Sequence, residues 1–150
     1  MITRTIPTDA ERITEIALIS KAFWGYSEEL VESWRDDLTV TSKMIETMKV
    51  FKFLQEDVIV GFYILNIPDT DSVELEFLFV LPDFIGKGIG EELLNNAVKE
   101  EKLMHCHTMT VLADPNAETF YQSQGFKVIE KKKSSIPNRF LPVMEKDLKQ

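Results

Sequence analysis

Hydrophobic positions recur along the chain at two different periods, and the changes between them mark out its elements. A short β-prone run, Ile2 to Ile6, comes first. Thr8 and Glu11 then stand at capping-box spacing, ahead of Ile13, Ile16, Ala17 and Phe23 at helical intervals. Gly25 breaks that helix, and Ser27 is placed to cap a second one with Leu30, Val31 and Trp34 on one side. "KVFKFLQEDVIVGFYILNI" reads as two strands joined by a tight turn at Glu56 and Asp57. "DTDS" is a turn, and "VELEFLFV" (73–80) a strand that Pro82 ends. Residues 88–103 return to the helical period, with Ile89, Leu93, Leu94, Ala97 and Val98 in one stripe. "HTMTVLA" (107–113) predicts a strand, and "PNAETFYQSQ" (115–124) a short helix stopped by Gly125. "FKVIEKK" and "FLPVMEKDL" supply the last two strands. This order predicts an α/β protein, a mixed sheet of about seven strands with about four helices on its faces. No repeat, low-complexity stretch or linker divides it, so residues 1–150 are expected to form one domain.

Composition removes several classes of function. The longest apolar run, around Val58 to Leu65, is far too short to cross a bilayer, so no membrane association is expected. No charged-then-apolar leader opens the chain, and Cys106 stands alone without an intrachain disulfide partner. Both features point to a cytoplasmic protein in a reducing compartment. The formal net charge of −8 argues against a duplex nucleic-acid partner, which needs clustered Lys and Arg. It is compatible with a cationic substrate, although such charge also serves solubility. In "HCH" (105–107), adjacent ligands on an extended strand cannot all face one ion, and no second cluster completes a tetrahedron. No metal is therefore expected.

The candidate chemistry begins at "FVLPDFIGKGIGEELL", where three glycines follow a strand and open a helix. The first N–H groups of a helix have no partner within it, and the macrodipole adds positive charge there. Removing side chains lets a phosphate approach those donors. The Walker pattern fits badly, because Lys87 lies between glycines with no hydroxyl after it. The dinucleotide fingerprint also fits badly, because the loop reads Gly-x-Gly-x-Gly in mid-chain. For the loop alone, a bare strand-to-helix turn without ligand remains equally open.

The loop resembles the acetyl-CoA signature of the GNAT N-acetyltransferase superfamily, usually written Gln/Arg-x-x-Gly-x-Gly/Ala. "DPNAETFYQSQGF" resembles the second signature of that family, and the element order matches over essentially the whole chain. One departure stands out: the Gln or Arg of the family falls on Ile85. The resemblance implies the GNAT fold, acetyl-CoA as co-substrate and a primary amine or peptide as acceptor. It implies that Ile85, Gly86, Lys87, Gly88, Ile89 and Gly90 hold the pyrophosphate, and that the backbone of Phe79 and Val80 pairs with the pantetheine arm. Asn116 would bond the pantetheine, and Tyr121 would protonate the leaving thiolate. Glu76, which shares a strand face with Glu74, is the implied base for direct attack through a tetrahedral intermediate. The bland reading of both glutamates is a solvent-facing strand edge. Trp24 and Tyr26 flank Gly25 where the family walls its acceptor pocket, and Arg139 is placed to grip an acceptor carboxylate or to pair with an acidic side chain. "KKK" (131–133) either reaches a 3′-phosphate or is simply solvated. Dimers are common in the family, so a homodimer is expected by analogy alone. The rival to an enzyme is a CoA-binding sensor module without turnover; a nucleotide-phosphate protein ranks third.

Overall fold

The structure, a computed structural model, describes residues 1–69, 71–103 and 106–149, with 101–103 described by their backbone alone. His105 of the "HCH" motif lies outside the described residues. The first β run is shorter than its pattern: β1 (Ile2–Arg4) pairs antiparallel with β2 (Lys49–Gln55), Thr3 facing Lys52. β2 passes into β3 (Val58–Asn66) through Glu56 and Asp57, whose φ angles are 52° and 66°. That left-handed pair is the signature of the turn whose twist suits a two-residue hairpin. β4 (Ser72–Val80), β5 (Thr108–Leu112), β6 (Lys127–Lys133) and β7 (Phe140–Asp147) complete a seven-stranded sheet in the order β1-β2-β3-β4-β5-β7-β6. β4 and β5 run parallel, from Ser72 beside Thr108 to Leu75 beside Val111. The sheet is therefore mixed, as expected.

The helices are α1 (Ala10–Ala22), α2 (Glu28–Ser33), α3 (Arg35–Leu38), α4 (Ser42–Thr47), α5 (Ile89–Leu103) and α6 (Glu118–Ser123). Two of them, α3 and α4, exceed the predicted number. They have 4 and 6 residues, too few turns for a hydrophobic period to be read. Ser27 caps α2 as predicted, its Oγ accepting from Leu30 N at 3.1 Å. The predicted Thr8 capping box is replaced by another device. Pro7 opens a single 3₁₀ turn, and Asp9 Oδ2 accepts from Ile6 N at 3.1 Å and from Lys52 Nζ at 2.6 Å. Proline fixes φ and has no N–H to bond, so the chain starts the tighter turn before α1 begins.

The chain groups into two compact units. In the first (Met1–Leu65 and Phe77–Asn96), Ile13, Ile16 and Ala17 of α1 pack with Leu38, Val40, Ile45, Val50, Phe62 and Ile64, and Phe77 and Phe79 close against them. Full burial of each such side chain is worth roughly 1.5–3 kcal/mol before chain entropy is counted. Residues 59–65 of β3 are all buried, which is why the strand shows no polar alternation. Gly61 lies in that run. A Cβ there would stand 2.9 Å from the Phe79 carbonyl oxygen and 3.2 Å from Leu93 Cδ1. Backbone cannot yield as a side chain can, so Gly61→Ala must push β4 aside. We expect a loss of about 1–3 kcal/mol in a urea unfolding experiment, and an unchanged midpoint would contradict the close approach.

In the second unit (Asn66–Glu76 and Ala97–Gln150), Val73 and Leu75 of β4, Met109 and Val111 of β5 and Met144 of β7 are buried. Register aligns them: Leu75 lies beside Val111, and Val111 faces Met144. The period of two therefore sends Ser72, Glu74 and Glu76 to the opposite face of β4. Gly125 ends α6 with φ 92°, and Lys146 Nζ donates to the preceding Gln124 carbonyl at 2.7 Å. A cation there complements the carboxyl end of the helix.

Candidate active site

In the first unit, the strand-to-helix loop is bare by necessity. Pro82–Phe84 make one 3₁₀ turn after β4, and Gly86 and Gly88 follow with φ of 85° and 81°. L side chains avoid that region, so glycine is needed for the path itself. Space is also left open: a Cβ on either glycine would meet nothing within 4 Å. Gly88 then accepts the first helical bond of α5, from Glu92 N at 3.0 Å. Residues 85–88 are all exposed, Ile85 by 49%, so the loop that leads into α5 lies open to solvent. Lys87 Nζ stands 5.2 Å from the centre of the Phe84 ring. An open, exposed loop with left-handed glycines ahead of a 15-residue helix fits an anionic group such as a pyrophosphate.

Phe79 and Val80 precede this loop, and both are only partly exposed. Buried Ser20 of α1 donates its hydroxyl to the Val80 carbonyl at 3.1 Å, and Leu81 N donates to Val60 O at 2.8 Å. The end of β4 is thus held from the helix side and from β3. Trp24 is 42% exposed and meets Phe23 edge-on, at 5.5 Å between ring centres. Tyr26 meets Trp34 edge-on at 5.0 Å. Lys21 Nζ lies 5.6 Å from the Tyr26 ring centre and 5.1 Å from that of Trp34. A pair of aromatic faces in this position does hold a cation, and it belongs to the chain itself.

In the second unit, Glu74 and Glu76 lie side by side on β4. Partial desolvation, then the hydrogen bond and charge of Glu74, push the Glu76 carboxyl up to about 7. Two neighbouring carboxylates resist being ionised together, so one proton is retained near neutrality. Tyr121 is buried and packs edge-on against Phe120 at 5.3 Å and Phe126 at 5.4 Å. Burial pushes its phenol above the ordinary range, so the hydroxyl keeps its proton at any physiological pH. Asn116 is exposed on the 3₁₀ turn Pro115–Ala117, ahead of α6.

Asp114 is the residue that motif reading missed. Its Oδ1 accepts from both the backbone N and the side-chain Nδ2 of Asn116, each at 2.9 Å. Its Oδ2 accepts from Arg139 Nη2 at 3.3 Å, and Arg139 Nη1 lies 3.2 Å from Ser134 Oγ. The available signal was the Asp-Pro-Asn sequence, since Asp ahead of proline favours a side-chain-capped turn. Lys131, Lys132 and Lys133 are exposed on β6. Cys106 is buried, and no group of three metal-ligating side chains is found among the described residues.

A mixed seven-stranded sheet whose β4 leads through left-handed glycines into α5 defines an α/β protein of the acyltransferase type. The model of the family described as Acetyltransferase (GNAT) domain matches residues 24–148, and the chain belongs to that family. Among solved structures it is similar to the PaiA N-acetyltransferase of Thermoplasma acidophilum in complex with coenzyme A. That likeness is 26% identical with a TM-score of 0.83, covering 98% of each chain. YncA of Salmonella typhimurium, solved with its cofactor acetyl-CoA, shares the fold at 19% identity and a TM-score of 0.71, over 99% of this chain and 93% of that one. An uncharacterized N-acetyltransferase, ycf52 of Gracilaria tenuistipitata var. liui, is 28% identical over 91 residues. The match covers 61% of this chain and 47% of that relative, so the chain spans about half the length of the curated relative it matches. No described helix is long and apolar enough to cross a membrane.

Proposed function

We propose that this protein is a single-domain cytoplasmic N-acetyltransferase that moves an acetyl group from acetyl-CoA to a primary amine by direct attack. The observation that carries the reading is the loop at Gly86 to Gly88, left-handed at both glycines and open to solvent ahead of α5. The PaiA relative, solved with coenzyme A over the same length of fold, supports it.

Acetyl-CoA supplies an activated thioester; everything else falls to the chain. The N–H groups from Gly86 to Gly90 receive the pyrophosphate, and Lys87 adds a positive charge beside it. Ile85 contributes no polar contact, so affinity rests on the backbone donors. The backbone of Phe79 and Val80 holds the pantetheine arm, with the Val80 N–H aimed at the thioester carbonyl. Trp24, Tyr26 and Arg139 contact the acceptor. Tyr121 gives a hydrogen bond to the departing sulfur. An ordinary phenol at ~10 gives up its proton to a thiolate of ~8.5 only at a penalty of about 2 kcal/mol, and burial raises that penalty. Tyr121 therefore serves best as a retained donor that stabilises the thiolate.

Glu76 takes the proton of the attacking amine. The amine attacks in its neutral form, since an ammonium (ordinary value ~10.4) has no lone pair. Its nitrogen becomes acidic enough to give Glu76 a proton as the new bond to carbon forms. Below about 7 Glu76 holds a proton and cannot accept another. Besides the rise that the amine's own ionisation causes at higher pH, the expected kcat/KM therefore shows a limb that ends as Glu76 ionises near 7. In Glu76→Gln that limb should vanish and the rate fall about a hundredfold. A variant that retains both the rate and the limb removes Glu76 as the base. The function itself is tested by thiol release from acetyl-CoA across a panel of polyamines, amino acids and peptides. Release on one class supports the enzyme and names the acceptor. Acetyl-CoA binding with no release on any of them supports the sensor instead.

A further inference from the structure

We infer that Tyr63 and Asn96 are positioning residues: their hydrogen bond sets how far α5 stands along β3, and so fixes the glycine loop relative to the end of β4. The inference rests on the acetyl-CoA reading above and concerns only residues of the first unit.

Apolar contact holds two elements together without fixing their register, because it depends on area and has no preferred direction. Leu93 and Leu94 of α5 are buried in that way. A hydrogen bond is different, since it weakens steeply once distance or angle leaves a narrow range. Tyr63 O–H donates to Asn96 Oδ1 at 2.6 Å, across 33 residues of sequence. The donor is itself held still. Tyr63 is fully buried on β3, and its ring stacks on Phe51 of β2 at 5.3 Å between centres and 15° between planes. The Arg4 guanidinium stands 5.5 Å from the Phe51 ring centre in turn. Asn96 lies about two turns after Ile89, so roughly 10 Å of rigid helix carry the constraint to the loop.

The same strand gauges the other side of the loop. Leu81 N donates to Val60 O at 2.8 Å, which ties the end of β4 to β3. At Gly61 the missing side chain lets three elements meet. A Cβ there would stand 2.9 Å from the Phe79 carbonyl oxygen, 3.2 Å from Leu93 Cδ1 and 3.4 Å from Val80 Cγ2. Gly61 and Tyr63 share one face of β3, and Leu93 and Asn96 one face of α5. One strand therefore sets the level of both β4 and α5. A ligand whose pyrophosphate sits in the loop and whose arm runs along Phe79 and Val80 bridges the two, so it depends on their separation. Loss of the bond at Asn96 leaves the apolar contacts in place but lets α5 shift along the sheet. Part of the binding energy then goes into restoring the separation.

The test is calorimetric titration with acetyl-CoA of wild type, Tyr63→Phe, Asn96→Leu, their double variant, Asn96→Asp and Ile45→Val, each with a thermal melt. Tyr63→Phe and Asn96→Leu should each weaken binding about tenfold, and the double variant no further than the weaker single one, because both remove one bond. Asn96→Asp keeps an acceptor for the Tyr63 hydroxyl and should stay within about threefold of wild type. Ile45→Val trims one methyl group from the core that α1 covers. It should lower the melting temperature about as much as a lost hydrogen bond does, while binding acetyl-CoA like wild type. Folded Tyr63→Phe and Asn96→Leu proteins that bind like wild type overturn the inference, as does Asn96→Asp binding no better than Asn96→Leu. Ile45→Val binding as weakly as these overturns it too, since lost stability alone would then explain the effect. If Asn96→Leu does not fold, Tyr63→Phe decides, because it keeps the ring and its stacking on Phe51. Wild type that binds no acetyl-CoA removes the proposed function and this inference together, whereas variants that bind as well as a binding wild type remove the inference alone.

Discussion

Gly88→Glu is expected to abolish acetyl-CoA binding in a protein that still folds. Gly88 has φ 81°, so any L side chain there carries a left-handed strain of about 1–2 kcal/mol. No atom lies within 4 Å of the new Cβ, so no clash adds to that strain and the fold should survive. The added carboxylate, however, stands where the start of α5 would receive a doubly charged pyrophosphate. Like charges a few ångströms apart in a partly desolvated site cost several kcal/mol, enough to move a micromolar Kd beyond detection. Gly88→Ala separates the two effects. It carries the same backbone strain without charge, so its melting temperature should fall as that of Gly88→Glu does while binding weakens far less. Equal binding by the Glu variant and wild type would mean that the loop is a bare turn.

Tyr121→Phe is expected to lower kcat by about a hundredfold while changing acetyl-CoA affinity little. The substitution removes one oxygen and keeps the edge-on packing against Phe120 and Phe126, so α6 should stay in place. The hydrogen bond matters when negative charge gathers on sulfur, which happens along the reaction and not in the bound ground state. Because burial keeps the phenol protonated, the loss should be the same at every pH at which the enzyme works. Rapid-mixing assays with the best amine of the panel measure the chemical step directly. A kcat within about twofold of wild type would remove Tyr121 from the chemistry.

The sheet and the loop were legible because both are written in local pattern. Glu56-Asp57 between two β runs gives the hairpin, and the glycines after Phe79 and Val80 give the turn into α5. The short helices were not legible, since α3 and α4 complete too few turns to carry a period. Gly61 was visible as a glycine inside a strand, a pattern that often marks close backbone approach. What it approaches depends on Phe79 and Leu93, and that pairing is tertiary. Asp114 was hidden for the same reason, because its partner Arg139 lies 25 residues away. Motifs display the residues that would touch ligand; the residues that hold them in place depend on the fold. The lysine over Tyr26 and Trp34 belongs to this group too, since cation and rings come from α1 and from beyond Gly25.

Titration of the purified protein with acetyl-CoA by calorimetry tests the central claim most directly. Stoichiometric, saturable binding in wild type, lost in Gly88→Glu and largely kept in Gly88→Ala, is the predicted result. Absence of binding to folded wild type would contradict it, and would mean that Ile85, in the place of the usual Gln or Arg, marks a loop that has lost its ligand.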